Sequence, residues 1–80
     1  MYITQEQMEN FIRSNAEKIW ELLCERGQMT IRQIGEHTHC RDAIIFMSIG
    51  YLVKEDKINI EDKSGTLYFE SRNAITEIYY

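Results

Sequence analysis

Residues 41–70 read RDAIIFMSIGYLVKEDKINIEDKSGTLYFE, and a change of period inside this stretch decides the fold. Up to Lys54, the residues Ile45, Ile49, Leu52 and Val53 recur at the spacing of a helix with one apolar face. After Asp56 the repeat falls to two. Lys57-Ile58-Asn59-Ile60-Glu61 alternates polar with apolar, and Thr66-Leu67-Tyr68-Phe69-Glu70 does so more loosely. Between them lies Asp62-Lys63-Ser64-Gly65, a polar four-residue turn with the glycine that a hairpin needs. The pattern predicts a helix over residues 41–54 followed at once by a β-hairpin. The helix start is weakly capped, because Arg41 is not a capping type, although Asp42 sets negative charge in the first turn.

Towards the amino terminus, Thr30 and Gln33 fit a capping box, with Ile31 and Ile34 as the buried face of a second, short helix. Residues 37–40 form the turn between the two helices. The chain before Thr30 is extended enough for one short strand, a third member of the sheet. Further back, Met8, Phe11 and Ile12 make an apolar stripe that Ala16, Ile19, Trp20, Leu22 and Leu23 continue. Thr4 with Gln7, and Ser14 with Glu17, both fit the capping box. Either one long helix runs from Gln5 to Arg26 or two helices meet near Ser14. Ser14-Asn15, poor helix interior and good cap, favours a break or bend there. Gly27 closes the segment. At the other end, Ile75, Ile78 and Tyr79 have helical spacing, whereas Thr76, Ile78 and Tyr80 alternate as a strand would.

Helix, short helix, turn, helix, hairpin is the order of an α+β winged helix-turn-helix, a three-helix core plus a two- to three-stranded β wing. One domain over residues 1–80 is expected, with an N-terminal helical extension (1–14), a winged-helix core (15–70) and a C-terminal tail (71–80). Eighty residues bury only roughly 60% of their unfolded surface, so a core and an internal active-site cavity do not both fit. The hydrophobic fraction of 44% and aromatic fraction of 11% are those of a globular chain and argue against disorder. Proline is absent, so helices run without forced breaks.

Thirteen acidic residues against nine basic ones leave a formal net charge of −4. Affinity for nucleic acid comes largely from neutralising phosphates, so this balance argues against strong non-specific DNA binding but leaves room for a local basic patch. Two cysteines, Cys24 and Cys40, are too few for a disulfide scaffold. The polar start with Gln5, Glu6, Gln7 and Glu9 is unlike a signal peptide, and no apolar run approaches the roughly 20 residues that span a bilayer. A cytoplasmic, reduced, soluble chain without a membrane partner is the simplest expectation.

Particular residues sharpen the fold assignment. Asn15-Ala16, Lys18-Ile19-Trp20, Leu22-Leu23 and Gly27-Gln28-Met29-Thr30 resemble the opening of a bacterial family of small winged-helix proteins, a domain of unknown function. The resemblance continues through Ile49-Gly50-Tyr51-Leu52-Val53-Lys54-Glu55, Lys57-Ile58 and Leu67-Tyr68, and covers residues 15–70. It implies the fold and a DNA-binding ancestry; the family has no settled activity to carry over. Asp56 stands where the family usually has glycine, which implies a looser turn from the third helix into the wing.

Two functions of different class follow. As a DNA-binding regulator, the chain would set its third helix in the major groove, with Arg41, Ala43, Ile44 and Met47 at the bases and Arg32 and Lys63 on phosphates. Lys54 and Lys57 are marginal additions. Only Arg41 offers the bidentate geometry that reads guanine, and Asp42 beside it repels phosphate. From residue 28 to 72, Arg32, Arg41, Lys54, Lys57, Lys63 and Arg72 face seven acids, Glu36, Asp42, Glu55, Asp56, Glu61, Asp62 and Glu70, so this part is not basic either. As an association module, the chain would use Ile44 and Met47, apolar where a DNA reader is polar, unless the N-terminal extension covers them. Met8, Phe11, Ile12, Ile75, Ile78 and Tyr79 are candidates for a homodimer interface, or for packing of the tail on its own first helix.

His37, His39, Cys40 and Cys24 are ligand types, but neighbours in a tight turn seldom converge on one ion, and no C-x-x-C pair is present; no metal or cofactor is expected. No phosphate loop, no nucleophile with a spaced base and no carboxylate pair suggests an enzyme. Trp20, Phe46, Tyr51, Tyr68 and Phe69 read as core or near-core aromatics.

Overall fold

The computed structural model describes residues 1–72. In chain order they form α1 (Gln5–Arg26), β1 (Met29–Thr30), α2 (Ile31–Thr38), α3 (Asp42–Lys54), β2 (Ile58–Lys63) and β3 (Thr66–Ser71). The strands make one antiparallel sheet in the order β1-β3-β2. This is the expected α+β winged helix-turn-helix, with the short strand before Thr30 serving as the third strand.

Local chemistry sets most boundaries. The Thr4 hydroxyl accepts from Gln7 N–H at 3.1 Å and the Gln7 side chain accepts from Thr4 N–H at 3.0 Å, a complete capping box at the start of α1. Thr30 and Gln33 repeat it for α2 at 3.2 and 2.9 Å. Gly27 ends α1 at φ 86° and ψ −149°, a region only glycine occupies comfortably, and its N–H donates to Leu23 O. His39 closes α2 in the left-handed conformation, φ 59°.

The break expected at Ser14 is absent: α1 is one continuous helix, and the Ser14–Glu17 capping box is not used. The propensity cost of Ser14 and Asn15 is a few tenths of a kcal/mol, about an order of magnitude below the burial of Ala16, Ile19 and Leu23 that continuity permits. Asn15 turns its amide back to Phe11 O at 2.9 Å, which satisfies its donor within the helix.

The passage from α3 to the wing is tight, contrary to the sequence expectation. Asp56 N–H donates to Val53 O and Lys57 N–H to Leu52 O, at 3.0 and 2.9 Å, the paired bonds of a Schellman closure. Asp56 sits at φ 62°, the left-handed position for which glycine is the usual choice, and its carboxylate pairs with Arg72. The wing turn is also tighter than the four residues expected. Strand pairing runs to Lys63↔Thr66, leaving only Ser64 and Gly65, both at positive φ, with Asp62 Oδ1 accepting from Gly65 N–H.

Ala16, Ile19 and Leu23 of α1, Ile34 of α2, and Ile45, Ile49 and Leu52 of α3 pack with Met29, Ile58 and Phe69 of the sheet. Ser48 is fully buried among them and its hydroxyl donates to Ile44 O. Val53 and Phe46, expected in or near the core, are exposed. The buried set of α3 is Ile45, Ser48, Ile49 and Leu52, and Val53 falls one step past its edge, with Phe46 further round.

Because Asp56 pays a steric penalty at positive φ, Asp56→Gly is expected to stabilise the fold by about 0.5–1 kcal/mol, net of the exposed pair lost to Arg72. Urea unfolding of the two proteins reads this directly as a higher midpoint at unchanged slope.

Candidate functional site

The face of α3 turned away from the core carries Ala43, Phe46, Met47, Gly50 and Val53, and ends at Lys54. In most winged helices that read DNA this is the face turned to the bases. Here Phe46 is 52%, Val53 48% and Met47 39% exposed, so large apolar side chains are left in water across the length of the helix. The wing adds to them. Register places Ile60 opposite Phe69 and Leu67 opposite Asp62, so Ile60 and Leu67 share the sheet face of the buried Ile58 and Phe69, yet remain exposed towards the wing tip.

The opposite face of the wing is polar and engaged with itself. Lys63, expected at the wing tip for phosphate contact, folds back instead. Its ammonium donates to Gln28 Oε1 at 2.8 Å, lies 3.9 Å from Glu61, and sits 4.7 Å from the centre of the Tyr68 ring. Gln28 in turn donates to Glu61 and Glu70. Arg32 is exposed on α2 and pairs with Glu36 one turn on, at 3.4 Å. Lys57 lies over the Trp20 ring at 5.3 Å, and the Trp20 indole N–H donates to Lys57 O. Arg72 pairs with Asp56.

Of the residues named for DNA contact, Arg41, Ala43 and Met47 lie together at the amino-terminal part of α3 and are exposed, whereas Ile44 is half-buried. Arg41 is the N-cap of α3, in the extended conformation the position requires (φ −72°, ψ 154°), but no side chain caps the helix. The Arg41 guanidinium has no hydrogen bond or ion pair to the described residues, which leaves it available at the helix start. Ala43 and Met47 offer nothing but apolar contact, which on DNA means only a thymine methyl. Of the residues named for a dimer, Met8 and Ile12 are half-buried on α1 and Phe11 is exposed; Ile75, Ile78 and Tyr79 lie outside the described residues. Sequence reasoning missed Phe46, Val53, Ile60 and Leu67 as surface residues, and Ser48, the one polar residue within the apolar run of α3, is buried and so does not mark its outer face.

Cys24 is exposed and Cys40 half-buried, both with free thiols, and Cys40 Sγ meets Asn15 Oδ1 at 3.7 Å. Among the described residues no three His, Cys, Asp or Glu side chains converge as a metal site. No helix among them is long and apolar enough to cross a membrane.

Residues 5–71 match the family described as winged helix-turn-helix domain (DUF2582), and the chain belongs to that family. The match begins ten residues before the resembling segment 15–70 and takes in the first half of the continuous α1. The fold is similar to the solution NMR structure of protein BT2368 from Bacteroides thetaiotaomicron, at a TM-score of 0.78 and 21% identity over 90% of this chain and 87% of that one. At that identity the likeness is one of fold. No curated protein matches the chain.

The uncapped start of α3 generates a stability test. Arg41→Ser is expected to supply the missing cap and stabilise the protein by about 1 kcal/mol, read by thermal or urea unfolding. The same variant removes a guanidinium that has no partner among the described residues.

Proposed function

We propose that this winged helix is a protein-association module, in which α3 presents an apolar face to another protein where a DNA reader would present donors and cations. The observation that carries this reading is the joint exposure of Phe46, Met47 and Val53 on the outward face of α3. Against an apolar partner each gains about 25 cal/mol for every Å² removed from water, whereas against phosphate and sugar that gain is offset by stripping water from the charged backbone. The charge supports it too. The net charge is −4, and Arg32, Lys63 and Arg72 each have an acidic partner within the fold. Free thiols at Cys24 and Cys40 fit a reducing, cytoplasmic setting.

One observation favours a second reading, the DNA-binding regulator that the fold suggests. Arg41, with no partner among the described residues, stands at the amino terminus of α3, the point from which a recognition helix reaches base edges. In that reading Arg41, Ala43, Ile44 and Met47 read, and Arg32 and Lys63 hold the backbone after leaving their present partners.

Fluorescence anisotropy against a mixed-sequence duplex at low and moderate salt separates the two. The association reading expects no binding at low salt up to tens of micromolar protein. Binding that falls steeply with salt and weakens in Arg41→Ala would instead establish the DNA reading.

A further inference from the structure

We propose that the outward face of α3 binds the same face of a second copy of this chain, with the two helices antiparallel and each Phe46 seated over the partner's Gly50. The inference rests on the association reading and names its partner.

Gly50 lies inside an α-helix, where glycine is among the poorest residues. It does not adopt a positive φ, and a methyl group built on it would meet nothing within 4 Å. Neither the backbone nor the packing of the described residues requires glycine there. What the missing side chain creates is a low spot on a face that Phe46, Met47 and Val53 otherwise raise. Phe46, half in solvent, projects one helical turn away. Knob and hollow thus lie on one face of one helix. A two-fold axis between them puts each knob on the other copy's hollow, the self-complementarity that an isologous contact demands.

Charge selects the orientation. Within α3, Asp42 is the sole acid and Lys54 the sole base, and they occupy the first and last positions. An antiparallel pair centred on Phe46 and Gly50 sets Asp42 beside the partner's Lys54 at both ends, while a parallel pair would oppose like charges. No residue between them is charged, so the contact buries no ion away from its counterpart. The surface is distinct from the one on α1 and the tail that the sequence suggests.

Sedimentation equilibrium on the full chain, from low to several hundred micromolar, tests the proposal. The wild type is expected to pass from monomer to dimer. Gly50→Gln, which fits the open space and favours helix, should raise the dimer dissociation constant at least tenfold while leaving the helical circular dichroism unchanged. Phe46→Ala should do the same from the other side of the contact. Lys54→Glu should weaken the dimer about tenfold at low salt, with the difference fading at high salt. A wild type that stays monomeric overturns self-association, as does a dimer that Gly50→Gln leaves intact. If the monomer also ignores DNA, the association reading survives with a different partner; if it binds DNA with steep salt dependence, that reading falls as well.

Discussion

Phe69 occupies the centre of the three-stranded sheet and is almost wholly buried. It stands opposite Met29 on one side and Ile60 on the other, so a single aromatic residue joins both strand pairs and packs against the helices above. Its position explains why β1 need be only two residues long. Met29 and Thr30 make one pair each, Met29 adding its side chain to the core, Thr30 capping α2. The same short strand therefore anchors the sheet and launches the helix-turn-helix. If the Met29–Phe69 contact were lost, α2 would lose the fixed origin that orients it, and α3 after it.

Among the described residues ten hydrophobic side chains form the buried core, and several large apolar ones stay outside it. Phe46, Met47 and Val53 lie on the one α3 face that neither α1 nor the sheet covers, and Ile60 and Leu67 lie on the wing beyond the helices' edge. The cations follow the opposite logic. Lys63, Lys57 and Arg72 each find an aromatic ring or a carboxylate on a neighbouring element, and so act as internal fasteners of the wing. The winged helix here uses these cations within its own fold, and its outward helix is left apolar.

Much of this was legible in the sequence because the signals are local. Thr30 with Gln33 spells a cap whichever tertiary structure follows, and the alternation after Asp56 with Ser64-Gly65 between two strands spells a hairpin. Ser14-Asn15 misled for the converse reason: local preference worth a few tenths of a kcal/mol per residue is outweighed by a long buried stripe on α1. Asp56 misled because side chain identity alone does not reveal that a left-handed position is being held by an aspartate with a partner at Arg72. Of the candidate site, Arg41 and Met47 were visible from the helix register. Phe46 and Val53 were not, since an apolar residue in an apolar helix carries no mark of which way it faces.

The sequence by itself determined the kind, order and approximate limits of the elements, and hence the fold class, because hydrogen-bond caps, turns and hydrophobic periods act between residues a few positions apart. Only the tertiary structure decided which apolar residues lie inside, which cations are already engaged, and that Gly50 answers to no need among the described residues. Many of these contacts join residues far apart in the chain, as Trp20 with Lys57 and Gln28 with Lys63 show, and nothing in one stretch of chain encodes what another will place against it.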